Sequence, residues 1–222
     1  MSIKENLESI LNQIPKEVTL VAVSKTKPNE DIMEAYQAGQ RIFGENKIQE
    51  MAEKYESLPK DIQWHMIGHV QTNKVKYMAP FVSLIHGVDR LKLLKEINKQ
   101  ASANNRTIHC LLQIKIAEED SKFGMSIQDA KNLLQSKDLE PLNHIHITGV
   151  MGMATFTEDQ NQIKNEFDRL KSAFDSLKTI ENERCDLKTI SMGMSGDYEL
   201  AIQSGSNMIR VGSSIFGERN YH

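Results

Sequence analysis

Strand-like and helix-like segments alternate strictly along these 222 residues, and the alternation runs through eight units. An opening helix stands before them, because Ile3, Leu7, Ile10, Leu11 and Ile14 recur at helical spacing. Strands are then expected over about 18–24, 42–43, 62–67, 82–86, 107–116, 145–151, 187–191 and 208–211. Helices are expected over about 30–38, 47–56, 71–78, 91–103, 127–136, 160–178 and 197–203. A strand-then-helix rhythm of this kind makes a parallel sheet. Eight units fit a closed α/β structure, a (β/α)8 TIM barrel with an extra N-terminal helix, although the chain is lean for one. The competing open doubly wound sheet would want a G-x-G-x-x-G turn at its first helix, and none is there. No linker or low-complexity tract breaks the chain, so one domain over 1–222 is expected.

Composition excludes several functions. A net charge of -3 carries no basic footprint for nucleic acid. No stretch is long and apolar enough to span a membrane, and the N-terminus lacks the apolar core of a signal peptide. Two cysteines, Cys110 and Cys185, cannot make a disulfide framework and read as buried thiols in a reducing compartment. A cytoplasmic location is the expectation.

The chemistry gathers where strands end, as it does in barrels of this kind. The first strand runs out at Val21-Ala22-Val23-Ser24-Lys25. Alternation puts Lys25 on the face of Val21 and Val23, pointing toward a core. A buried amine must be paired, neutralised or used, and its usual use is Schiff-base formation with a carbonyl. The segments Ser191–Asp197 and Arg210–Ser214 each pass through Gly and Ser toward a helix start. Two such loops side by side read as a phosphate cradle involving Ser195, Gly212 and Ser213. The alternative is plain helix capping by Ser195 and Ser213. Arg210 groups with Met208 and Gly212 on one strand face; it can serve a structural salt bridge or donate to a ligand.

Other residues have simpler accounts. Asn46-Lys47-Ile48-Gln49 matches a capping box. His65 reads as a satisfied core or rim histidine. His144 and His146 lack a third metal ligand. Lys27 reads as a solvated loop lysine, and Phe123-Gly124-Met125 as a loop after the fifth strand.

Five linked segments carry a resemblance over nearly the whole chain. They are Ala22–Pro28, Phe43–Glu50, Trp64–Lys74, Ser191–Asp197 and Ile209–Gly217. Together they resemble the pyridoxal phosphate homeostasis protein family. The resemblance implies a barrel similar to the N-terminal domain of bacterial alanine racemases, with pyridoxal 5'-phosphate held as an internal aldimine on Lys25. It implies that the Ser195 region and Gly212-Ser213 hold the phosphate, that Arg210 faces the pyridine nitrogen, and that Asn46 lies near the ring hydroxyl. It further implies a role in vitamin B6 balance, with apo-enzymes that use this cofactor as candidate recipients.

A permanent cation at the ring nitrogen disfavours its protonation and so weakens the ring as an electron sink. That argues against transaminases and decarboxylases. An amino-acid racemase remains the enzyme alternative. Against it stand the chain's end at His222, where racemases carry a further β-domain with a catalytic tyrosine, and Met153 in place of a histidine. The expectation is a cofactor-binding protein, monomeric, without robust catalysis. A class I aldolase acting on a phosphorylated sugar explains Lys25 and the cradle equally well on physical grounds.

Overall fold

The computed structural model describes residues 2–118, 123–180 and 182–218. Met1 and His222, the bounds of the expected domain, lie outside them. Eight parallel strands close into a barrel in sequence order: β1 (Thr19–Val23), β2 (Ile42–Glu45), β3 (Gln63–Met66), β4 (Leu84–Val88), β5 (Ile108–Gln113), β6 (Ile145–Met151), β7 (Cys185–Ser191) and β8 (Met208–Val211). The barrel shuts where β8 pairs with β1, Arg210 standing opposite Val21. The helices are α1 (Ile3–Gln13), α2 (Asn29–Gln37), α3 (Ile48–Ser57), α4 (Val75–Met78), α5 (Leu91–Ala103), α6 (Ile127–Leu134), α7 (Gln160–Lys178), α8 (Tyr198–Gln203) and α9 (Ser213–Phe216).

The extra helix is α1. Ser2 and Glu5 cap it reciprocally, the Ser2 hydroxyl accepting the Glu5 N–H and the Glu5 carboxylate accepting the Ser2 N–H. It packs on α2 and α9, covering the seam at which the barrel closes.

Strand alternation sorts the apolar residues into two cores. Val21, Leu84, Leu111, Met151 and Met208 fill the barrel interior. Ala22, Phe43, Trp64, Ile85, Cys110, Val150, Ile209 and Val211 face outward and meet the helices. The expected pairing of Arg210 with Met208 against Ile209 and Val211 is therefore the observed one. Lys25 likewise follows Val21 and Val23 toward the interior, where both Val23 and Lys25 line a cavity.

Several expected bounds shift; β5 ends at Gln113 rather than 116, and β7 begins at Cys185 rather than 187. Strand β4 begins at Leu84 rather than 82, because Val82 N–H still bonds back to Met78 and closes α4. The helix expected over 71–78 is split into a 3-10 turn, Thr72–Lys74, and the short α4. Both cysteines are free thiols as expected; Cys110 is buried and Cys185 half-buried.

Candidate functional site

The C-terminal ends of the strands surround a cavity of about 530 Å³. Lys25, Asn46, Ser195, Arg210, Gly212 and Ser213 all line it. They come from the ends of β1, β2, β7 and β8, so closure of the barrel is what brings them together. Ile67, His69, Gln113, Phe123, Met153 and Thr155 complete the wall on the β3 to β6 side.

Ser195 Oγ accepts backbone N–H groups from Gly212 at 3.2 Å and from Ser214 at 3.5 Å. Two amides at the start of α9 thus converge on one acceptor point, as an anion cradle requires. A Cβ on Gly212 would come within 3.2 Å of both the Val23 side chain and the Val23 carbonyl oxygen. Glycine lets the backbone pass there without pushing Val23 aside. The neighbouring loop is fixed by Asp197, whose carboxylate accepts the Met194 N–H at 2.6 Å. Gly193, at φ +97, lets that loop leave β7; a Cβ there would collide with Ala201 at 2.6 Å.

The capping alternatives do not hold as expected. Asp197, not Ser195, is the N-cap of α8; Gly212 is the N-cap of α9 and Ser213 its first residue. Ser195 instead reaches across from the β7 loop to the start of α9. The capping box at Asn46 does not form either. Lys47, in extended conformation, is the N-cap of α3 and no side chain caps it. The Gln49 side chain accepts from Lys74 Nζ at 3.2 Å, away from the cap. Asn46 is left to line the cavity, and its backbone is crossed so closely that a Cβ on Gly68 would sit 2.4 Å from its carbonyl oxygen.

Arg210 is buried inside the barrel. Its guanidinium donates to Ser191 Oγ at 2.6 Å and to the Gly152 carbonyl at 3.1 Å. Burial pushes its pKa down to about 10, against the opposing field of Asp197. The salt-bridge alternative thus gives way to neutral hydrogen-bond partners. Ser191 continues to His86 Nδ1 at 3.0 Å, and His86 Nε2 to His65 Nδ1 at 3.1 Å. Arginine can only donate, so Ser191 accepts from it, and His86 Nδ1 is the acceptor within reach for the hydroxyl proton. His86 Nε2–H then donates to His65. Both imidazoles are held neutral by burial: His65 is pushed down to about 3, and His86 well below its ordinary value, with the His65 and Arg210 fields adding to the effect. His65 is the satisfied core histidine it was expected to be; sequence reasoning missed His86.

Lys27 is not a solvated lysine. Its Nζ donates to the Phe216 and Glu218 carbonyls at 2.8 and 3.1 Å, tying the β1 loop to the end of α9. Across the mouth, Phe123 stacks on His69 with ring centres 4.0 Å apart, and its carbonyl accepts from Gln113. Among the described residues no cluster of metal-binding side chains occurs. His144 instead bonds the Arg106 carbonyl through Nδ1, and His146 meets His109 edge to face.

Known proteins resemble this chain in sequence and fold. The alanine racemase N-terminal domain family matches residues 1–220. The pyridoxal phosphate homeostasis protein of Haemophilus influenzae is 39% identical, covering 100% of this chain and 98% of its own. That of Aquifex aeolicus is 37% identical, with 100% of both chains covered. PipY of Synechococcus elongatus, solved with pyridoxal phosphate bound, has a TM-score of 0.87 at 34% identity, covering 97% of this chain and 100% of its own. An alanine racemase of Streptomyces lavendulae shares the fold at a TM-score of 0.81 and 16% identity, with 98% of this chain covering 57% of that one. By sequence and by fold, this chain belongs to the alanine racemase N-terminal domain family and, within it, to the pyridoxal phosphate homeostasis proteins.

Proposed function

We propose that this protein binds pyridoxal 5'-phosphate reversibly, with Lys25 as its covalent tether, and serves vitamin B6 homeostasis without robust catalysis of its own. The observation that carries the reading is convergence. Residues from four strand ends line one cavity, those of β1, β7 and β8 nominated by their chemistry and Asn46 of β2 by the family resemblance. The relatives' names and the bound PipY structure support the same ligand.

The residues suit the group. Gly212 and Ser214 present converging N–H donors, and Ser195 adds a hydroxyl, for the phosphate; Ser213 lines the same corner. Arg210 supplies a fixed cation for the ring nitrogen, and Asn46 a polar side chain for the ring hydroxyl. When bound, the cofactor supplies a reactive aldehyde and an electron-withdrawing ring. Arg210 holds protons away from the ring nitrogen by its charge, which keeps the ring a weak electron sink. Lys25 holds the aldehyde, and the loops of β7 and β8 orient it. We further infer a cytoplasmic monomer, folded as a single barrel domain over 1–222, that passes the cofactor to apo-enzymes; no described helix is long and apolar enough to cross a membrane.

Borohydride reduction of the purified holoprotein, followed by peptide mass spectrometry, tests the tether. A pyridoxyl phosphate adduct is expected on the Lys25 peptide and none in Lys25→Ala. An adduct that persists in Lys25→Ala would reject the assignment. Incubation with single L-amino acids and assay for D-isomers tests the second half; turnover at ordinary enzyme rates would make the protein a racemase. A colourless protein with no bound cofactor would favour the aldolase reading.

A further inference from the structure

On the helix side of the barrel wall, polar groups close on the backbone that carries Lys25. Ser24 is fully buried, and its hydroxyl donates to Glu45 Oε1 at 2.6 Å. Lys54, on α3, reaches in beneath it. Its ammonium donates to the Ser24 carbonyl at 2.8 Å, to Glu45 Oε1 at 2.8 Å and to Glu50 Oε1 at 2.7 Å. These acceptors match the three N–H donors an ammonium has. Glu50 Oε1 also accepts the backbone N–H of Thr26 at 2.6 Å. The residues immediately before and after Lys25 are therefore gripped by the same lysine and two carboxylates.

The grip coincides with strain. Thr26 has φ +63, and Asn105 is the other described non-glycine residue at positive φ. Asparagine visits that region readily; a β-branched residue does not. Strain of this sort persists only where surrounding contacts impose it. A buried ion cluster is also a poor source of net stability, since apolar residues of the same volume often do as well. The chain thus accepts two unfavourable features, and both act on the peptide units flanking one residue.

We propose that Lys54 and Glu50 are positioning residues for the Lys25 amine, holding the Ser24–Thr26 backbone in the one conformation that aims the amine into the cavity. The proposal rests on the reading of Lys25 as the tether. In that capture the neutral amine adds to the aldehyde carbon, a C=N bond replaces C=O, and the oxygen leaves as water, with no oxidant or reductant needed. Placement within reacting distance decides its rate, and a misplacement of about 1 Å can cost on the order of 100-fold.

Stopped-flow absorbance after mixing apoprotein with pyridoxal 5'-phosphate measures capture. Calorimetry with pyridoxamine 5'-phosphate, which has no aldehyde, measures the phosphate and ring contacts alone. Lys54→Met and Glu50→Ala are expected to slow capture by roughly 10- to 100-fold and to leave pyridoxamine phosphate affinity unchanged. Glu50→Gln keeps an acceptor oxygen for Thr26 and is expected to restore the wild-type rate. Unchanged capture in Glu50→Ala, affinity that falls in step with capture, or a Glu50→Gln protein as slow as Glu50→Ala would each overturn the proposal. If Lys54→Met fails to fold, the Glu50 pair decides. A wild-type protein without a reducible adduct on Lys25 would overturn the tether itself. A wild-type adduct with unaffected variants would overturn only the positioning.

Discussion

The barrel wall carries a buried polar network on each face, and the two are built from opposite materials. Inside, Arg210, Ser191, His86 and His65 connect β8, β7, β4 and β3, and every hydrogen-bond partner of the cation is neutral. Outside, Lys54 is closed against two carboxylates, Glu45 and Glu50, between the strand ends and α3. The difference follows from what each must leave open. A cation neutralised by a carboxylate would have little field left for the proposed cofactor; the inner one is held by dipoles. The outer cluster stands apart from the cavity that Lys25 lines, and its groups bond the Ser24 carbonyl and the Thr26 N–H of the backbone. Neutral partners keep a buried charge available, whereas ionic partners use it up in holding structure.

Breaking the outer network should do the greater damage. Lys54→Met removes the partner of a carboxylate that is fully buried, and such a break costs about 3–5 kcal/mol. Thermal denaturation at pH 7 should show a melting point lower by roughly 10 °C for a chain of this size. The loss should shrink at lower pH. Burial raises the Glu45 pKa above its ordinary value, against the pull of Lys54, so Glu45 takes up a proton readily once its partner is gone. A variant as stable as wild type would mean that the outer charges hold nothing.

The inner network should yield less. Ser191→Ala leaves a guanidinium N–H and a histidine nitrogen without their buried partner, at about 1–3 kcal/mol. No unpaired carboxylate is created, which is why the figure is smaller. Chemical denaturation of the single variants and of Lys54→Met/Ser191→Ala distinguishes the networks further. Lying on opposite faces with no shared partner, they should be additive.

Acid separates the two by sign. His65 has a folded pKa of about 3 against an ordinary 6.5, so the unfolded chain binds its proton first. Stability from this group is intact above 6.5 and is lost as pH falls from there toward 3, at up to about 1.4 kcal/mol per pH unit. Glu45 runs the other way. Its folded pKa is raised, so its contribution is complete below 4.5 and declines as pH rises through the folded value. His65→Asn should flatten the acid limb of a stability–pH curve, and Glu45→Gln should steepen it. Equal slopes in both variants would remove the contrast.

Sequence pattern reveals some of this and hides the rest for a physical reason. Alternation turned Lys25 toward a core and grouped Arg210 with Met208 and Gly212 because strand period is local; β6, α5 and α7 were legible to the residue, because long periodic segments are. The Gly-and-Ser loops pointed to the corner of the cavity that Ser195, Gly212 and Ser213 line together. The two networks were not legible. His86 meets His65 only through the pairing of β3 with β4 and meets Ser191 only across the closed barrel. Lys54 and Glu50, four apart on α3, look like an ordinary surface pair. One signal was there: Ile48, Met51 and Lys54 follow at helical spacing, and all three are buried, so a charged residue stood on the core face of its helix. The capping box at Asn46 misled because the motif is satisfied by composition, while the extended Lys47 moved the cap by one residue.

The smallest expected effect tests burial itself. Ser195, like Ser191, accepts N–H donors at its hydroxyl, but they are backbone amides rather than a guanidinium, and it is half-buried with Ser214 exposed. When its hydroxyl is removed, water can reach the freed amides, so Ser195→Ala should cost only about 0.5–1 kcal/mol. The comparison with Ser191→Ala then isolates the wall as the variable. Inorganic phosphate sharpens it: an anion in the cradle takes the same amides, so saturating phosphate should raise the melting point of Ser195→Ala at least as much as that of wild type. A Ser195→Ala loss as large as that of Ser191→Ala would show that solvent does not reach the cradle, and the contrast between inner network and rim would have to be abandoned.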